Sequence, residues 1–133
     1  MHNNNQLNSN LNISPLVSNN YSFLRSLSKT RSSHKRKKLL KKATVEQLLS
    51  IAEIAINILR NRFHLTQRQK RRMLPFAQSI REISRIRSER GARRQLVQKG
   101  NGLPLALFPS LLTPIILELA RSLIAPSSSS NGQ

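Results

Sequence analysis

The 133-residue chain contains no cysteine, no tryptophan and no aspartate. The lack of cysteine excludes disulfide bonds and thiolate zinc sites. The five acidic residues are scattered glutamates, and the histidines His2, His34 and His64 lack the spacing of metal ligands. Since paired carboxylates and ligand clusters are both missing, we expect no enzymatic activity, no cofactor and no bound metal.

Positive charge is concentrated in one window of the chain. All but one of the 23 Lys and Arg residues fall between Arg25 and Lys99, and this window carries the whole formal net charge of +18. A charge this dense needs a polyanion, either nucleic acid or an anionic membrane surface. Aromatic residues make up only 4% of the chain, too few to build the stacking platforms of single-strand binding modules.

No secretory signal is expected, because Met1–Gln6 shows no basic stretch followed by an apolar one. The cytosol or the nucleus fits the composition better, and the basic run His34–Lys42 has the character of a nuclear import signal.

Changes in composition divide the chain into five segments. The Asn-rich segment and the Ser-rich end are expected to be disordered, because neither buries enough apolar surface to offset backbone ordering. A Lys/Arg-dense arm is expected to be extended by self-repulsion. The segments are 1–24 (Asn-rich tail), 25–43 (basic arm), 44–99 (basic helical domain), 100–126 (apolar tail led by Gly and Pro) and 127–133 (disordered end).

Two capping boxes predict the starts of two helices. In each, a threonine is followed three residues later by a glutamine, as in Thr44 with Gln47 and Thr66 with Gln69. Apolar residues spaced three and four apart predict that the first helix extends to about residue 60. The predicted fold is mainly α, a small helical hairpin or three-helix unit without strands.

Proline and glycine set the other predicted boundaries. Pro75 should end a short helix at 67–74 and separate it from a third at about 76–89, with Gly91 at the C′ position. In the tail, Pro104 and Pro109 should prevent a continuous helix, so that a helix forms only at about 114–124 with Pro114 in its first turn.

The apolar tail supports two hypotheses. Its uncharged run, Leu103–Leu117, is 15 residues long, shorter than the roughly 20 that span a bilayer. The tail either packs as the last element of the domain or of an oligomer, or lies at a membrane interface as a membrane-active segment over residues 103–124.

The basic block, which is the Lys- and Arg-rich window from Arg25 to Lys99, predicts contacts with phosphate groups. Lys and Arg saturate the exposed positions where a specific regulator would need base-reading side chains, so we expect binding without base specificity. Double-stranded DNA is the expected partner, with structured RNA and an anionic membrane surface as alternatives. The candidate contacts in the block are Lys35, Arg36, Lys37, Lys38, Lys41, Lys42, Arg85, Arg87 and Arg90.

Three motifs carry a resemblance to a known family. They are Arg68–Ala77 (RQKRRMLPFA), Gly91–Arg94 (GARR) and Leu96–Gly100 (LVQKG) leading into Leu103-Pro104. Over about residues 43–124, this order of an Arg-rich stretch, glycines and a Leu/Pro-rich segment resembles the small basic proteins of Maverick/Polinton transposons and adintoviruses. Those proteins are similar to the precursor of adenovirus core protein X (mu).

The resemblance implies a core protein that condenses double-stranded DNA in a virion or in the nucleus of the host cell. Self-association or capsid proteins are further partners that it implies. Cleavage by a viral cysteine protease would fall at Gly100, Asn101 and Gly102. By position in the family pattern, the phosphate contacts would include Lys70, Arg71, Arg72, Arg93, Arg94 and Lys99.

Overall fold

The structure, a computed structural model, describes residues 13–98 and 103–131, and for 123–131 the course of the main chain only. Within these ranges the chain is mainly helical and contains no strand, which confirms the predicted fold class. The helices are α1 (Pro15–Ser18), α2 (Tyr21–Lys29), α3 (Ser33–Lys41), α4 (Val45–Leu59), α5 (Gln67–Met73), α6 (Ala77–Ser84), α7 (Glu89–Ala92) and α8 (Leu107–Asn131), with a 3₁₀ turn at Leu74–Phe76 and a π-helical segment at Arg93–Gln98.

Helix α4 occupies the centre of the fold. It begins with the predicted capping box, in which the Gln47 main-chain N–H donates to Thr44 Oγ1 (3.1 Å) and the Thr44 N–H donates to Gln47 Oε1 (2.9 Å). Its buried side chains include Leu48, Ile51 and Ile54, and it packs against α1, α6 and α7. Each such side chain contributes about 1.5–3 kcal/mol when it is fully buried.

Helices α5 and α6 confirm one predicted boundary and correct another. The capping box of Thr66 and Gln69 starts α5, and Pro75 lies in the 3₁₀ turn that separates α5 from α6. The predicted helix 76–89 is wrong at its end, because α6 stops at Ser84. Ser88 then caps α7 by accepting from the Gly91 N–H (3.2 Å), so Gly91 lies inside a helix and not at C′.

Residues 13–43 are part of the fold, which corrects the prediction that this region is a disordered tail and arm. Helix α2 buries Phe23, Leu24 and Leu27 on one face, and α3 buries Leu40. Apolar residues at helical spacing therefore outweigh the repulsion between neighbouring cations. Residues 1–12 of the predicted tail lie outside the described residues.

The apolar tail forms one helix, α8, which corrects the predicted break at the prolines and the predicted disorder of residues 127–131. Residues 132–133 of the predicted disordered end lie outside the described residues. Pro109 falls in the first turn, where its missing N–H would have no intrahelical acceptor. Pro114 lies further inside the helix, where a proline costs about 3 kcal/mol of stability. Packing of the apolar face of α8 offsets this cost, because each fully buried side chain contributes about 1.5–3 kcal/mol. The buried residues are Leu107, Phe108, Leu111, Leu112, Ile115, Ile116 and Leu119.

Helix α2 packs against α8, and the contact between them is the most extensive between any two described elements. The tail is therefore the last element of the domain, as one of the two hypotheses predicted. None of the helices in the described ranges is long and apolar enough to cross a membrane.

Candidate nucleic-acid interface

Helix α3 presents most of its lysines to solvent. The Ser32 hydroxyl caps its N-terminus by accepting from the Lys35 N–H (3.3 Å), and Lys38 and Lys41 lie in the last turn, where the helix dipole favours cations. The side chain of Leu40 anchors the opposite face in the core. The exposed predicted contacts on and beside this helix are Lys35, Lys37, Lys38, Lys41 and Lys42.

Arg36 does not lie on this surface, which corrects its assignment as a phosphate contact. Its side chain is only 5% exposed, and its Nη1 donates to the main-chain oxygen of Pro104 (3.0 Å). Burial lowers the pKa of the Arg36 guanidinium from its ordinary value. This arginine connects α3 to the segment that leads into α8.

A groove of about 670 Å³ runs between α2 and α3. Its walls differ in chemistry, because α2 and the residue after it contribute hydroxyl groups while α3 and the residue after it contribute ammonium groups. The polar residues that line it are Ser22, Ser26, Thr30, Lys35, Lys38, Lys42 and Gln47.

A second groove, of about 520 Å³, shares one lining residue with the first. Thr30 lines both grooves, and Arg31 and Arg72 also line the second. Its remaining wall comes from the start of α8 and the residues before it, including Pro109 and Ser110. The sequence prediction included Arg72 but missed Arg31, because Arg31 lies outside the dense basic run His34–Lys42.

The other predicted contacts differ in their surroundings. Arg93 is half-buried. Its Nη2 donates to the Ala43 carbonyl oxygen (3.0 Å) and its Nε donates to Glu89 Oε2 (3.1 Å), so its side chain stabilises the fold. Lys99 and the predicted cleavage site Gly100–Gly102 lie outside the described residues. The exposed predicted contacts beyond α3 are Lys70, Arg71, Arg72, Arg85, Arg87, Arg90 and Arg94.

Carboxylates neutralise few of these cations. The ion pairs within the described ranges are Arg93–Glu89 and Arg121–Glu118, and no described lysine takes part in one. The same ranges contain no group of three or more His, Asp or Glu residues that could hold a metal ion. The exposed lysines of α3 are therefore available to an external anion.

No protein-family model, curated protein or solved structure matches the chain. A function is therefore inferred from the arrangement of charged side chains on the surface.

Proposed function

We propose that the protein binds double-stranded DNA without base specificity and condenses it, as a virion-type core protein of an adenovirus-like element. The observation that supports this proposal is that one face of α3 is buried in the fold and the other is exposed and basic. One face carries Leu40 and Arg36 into the fold, while five lysines on and beside the helix are exposed and lack carboxylate partners. The resemblance of residues 43–124 to small basic proteins of such elements also supports the proposal.

Binding would be driven by the release of counterions from the DNA. Each Lys or Arg that neutralises a phosphate displaces condensed cations, so affinity falls steeply as salt is added. A protein with about 6–10 such contacts loses roughly 10³–10⁵ in affinity between about 50 and 200 mM salt. Contacts to phosphates position a protein without identifying bases, so different DNA sequences should bind alike.

Condensation follows from the spread of exposed cations over several elements. They occur on α3, on α5 and from Arg85 to Arg94. Neutralisation is thus not confined to a single helix, and one molecule can lower the charge of more than one stretch of duplex. Neighbouring duplex segments then repel each other less and can approach.

The membrane-active alternative requires residues 103–124 to enter a lipid interface. In the structure the apolar face of α8, including Phe108 and Leu111, packs against α2 inside the protein. Insertion would have to break this packing before any lipid contact forms. Duplex DNA binding needs no such opening, and it is the function that the described surface favours.

The proposal is tested by titrating the full chain against three duplexes of unrelated sequence, a structured RNA of equal length and anionic liposomes. Fluorescence anisotropy follows the nucleic acids, and dye release follows the liposomes, from about 50 to about 200 mM salt. We expect equal affinities for the three duplexes, a steep salt slope and no dye release. Stronger binding to RNA at every salt concentration, or dye release that persists in salt with feeble DNA binding, would overturn the proposal.

A further inference from the structure

We propose that the two grooves form one continuous track, from Lys42 past Thr30 to Arg72, that holds the phosphodiester backbone of one strand of duplex DNA. This inference rests on the proposed function and assigns it to a defined part of the surface. The continuity comes from Thr30, which lines the groove between α2 and α3 and also the groove that contains Arg31 and Arg72.

Apart from Phe23 and Leu39, the residues that line the first groove have side chains that can donate hydrogen bonds to phosphate oxygens. Hydroxyl groups of Ser22 and Ser26 lie on the α2 side, and ammonium groups lie on the α3 side. Phosphates in DNA complexes accept hydrogen bonds from both kinds of donor. No glutamate lines either groove, so a phosphate there would meet no carboxylate on the groove walls.

The spacing of the lysines suits a strand of duplex DNA. Lys35, Lys38 and Lys42 are separated by three and four residues, so they lie along one face of α3 and its C-terminal end. From the first to the last of them, the helix rises about 10.5 Å. One strand of B-DNA carries a phosphate every ~3.4 Å along the axis, so the three lysines span about three phosphate steps.

Arg31 and Arg72 extend the track beyond α3. Both residues line the second groove, and a guanidinium can bind a phosphate with two parallel hydrogen bonds. Arg72 belongs to the exposed last turn of α5, so the track joins the basic end of α5 to the lysines of α3. Arg31 thus becomes a phosphate contact that the sequence did not single out.

The test compares two charge-matched pairs on the same helix. Lys38→Gln with Lys42→Gln removes two charges from the track, whereas Lys37→Gln with Lys41→Gln removes two exposed charges outside it. Lys37 lies about 200° around the helix from Lys35, on another face. Salt slopes for duplex DNA are measured by anisotropy, and circular dichroism checks that both variants keep their helices.

We expect the track pair to lower the magnitude of the salt slope by about 1.8, which is about 0.9 for each lost phosphate contact. The control pair should lower it by less than half as much. Equal reductions for the two pairs would overturn the track while leaving DNA binding intact. A wild-type chain that fails to bind duplex DNA would instead overturn the proposed function.

A second comparison adds negative charge without removing a lysine. Ser26→Asp places a carboxylate on the wall opposite the lysines, and Ser18→Asp places one at an exposed position outside both grooves. We expect Ser26→Asp to weaken binding at about 50 mM salt by tenfold or more and Ser18→Asp to change it by less than threefold. Equal weakening by the two variants would contradict the track.

Discussion

The guanidinium of Arg36 donates a hydrogen bond to the carbonyl oxygen of Pro104, a residue 68 positions further along the chain (3.0 Å). A second arginine acts in the same way, because Arg93 donates to the carbonyl oxygen of Ala43, 50 positions before it. Both bonds attach the Lys-rich part of the chain to the rest of the fold. The basic block therefore contains two kinds of cation, those that hold the fold together and those that face solvent.

Replacing Arg36 with Gln should lower the free energy of unfolding by about 1.5–3 kcal/mol, because the charge-assisted bond to Pro104 is lost from a buried position. Urea denaturation followed by circular dichroism measures the change. The matched control is Lys37→Gln on the exposed face of the same helix, which should stay within about 0.5 kcal/mol of wild type. Equal stability of the two variants would contradict the structural role of Arg36.

Arg93 and Arg94 are adjacent in sequence, but their replacement should change different properties, the stability of the fold for Arg93 and the binding of DNA for Arg94. Arg93→Gln should destabilise the fold by about 1–3 kcal/mol, because the bonds to Ala43 and Glu89 are lost. Arg94 is exposed, so Arg94→Gln should leave stability unchanged. Since Arg94 is a predicted phosphate contact, its loss should lower the magnitude of the salt slope by about 0.9. Denaturation and DNA titration of both variants decide between the two roles.

Leu111→Ala should destabilise the protein by about 2–5 kcal/mol, since Leu111 is fully buried on the face of α8 that packs against α2. Leu117 lies on the same helix and is 51% exposed, so Leu117→Ala is the control and should change stability by about 0.5 kcal/mol or less. Urea denaturation of the two variants makes the comparison. A small effect of Leu111→Ala would mean that α8 is not part of the core.

Pro114→Ala tests the continuity of α8. Alanine restores a main-chain N–H inside the helix, which recovers part of the roughly 3 kcal/mol that an interior proline costs. The unfolded chain gains freedom worth about 0.4–1 kcal/mol, so the net stabilisation should be about 2 kcal/mol. Thermal unfolding and helix content by circular dichroism are the measurements. A loss of helix content on this substitution would indicate that α8 begins only at Pro114.

Local capping chemistry made the centre of the fold predictable from sequence. Thr44 with Gln47 and Thr66 with Gln69 start helices where the capping-box pattern places them, and the break at Pro75 is also observed. The pattern succeeds because all of its partners lie within four residues of each other. No distant packing is needed to decide such a boundary.

The parts that depended on tertiary contacts were not predictable in the same way. The charge of residues 25–43 led the prediction to separate Phe23 from Leu27, although they lie four residues apart on the buried face of α2. The same charge concealed the burial of Leu40 in α3. The burial of Arg36 depends on Pro104, and no local pattern connects them. The prolines of α8 suggested breaks because the prediction weighed the lost hydrogen bond and not the packing against α2.

Compaction of duplex DNA is the most direct test of the central claim. The extension of single tethered duplexes of two unrelated sequences is recorded as the full chain is added at about 50 mM and then at about 200 mM salt. The account predicts shortening of both duplexes to the same extent at the lower salt and release at the higher. Duplexes that keep their full extension while saturated with protein at low salt would contradict the claim that this protein condenses DNA.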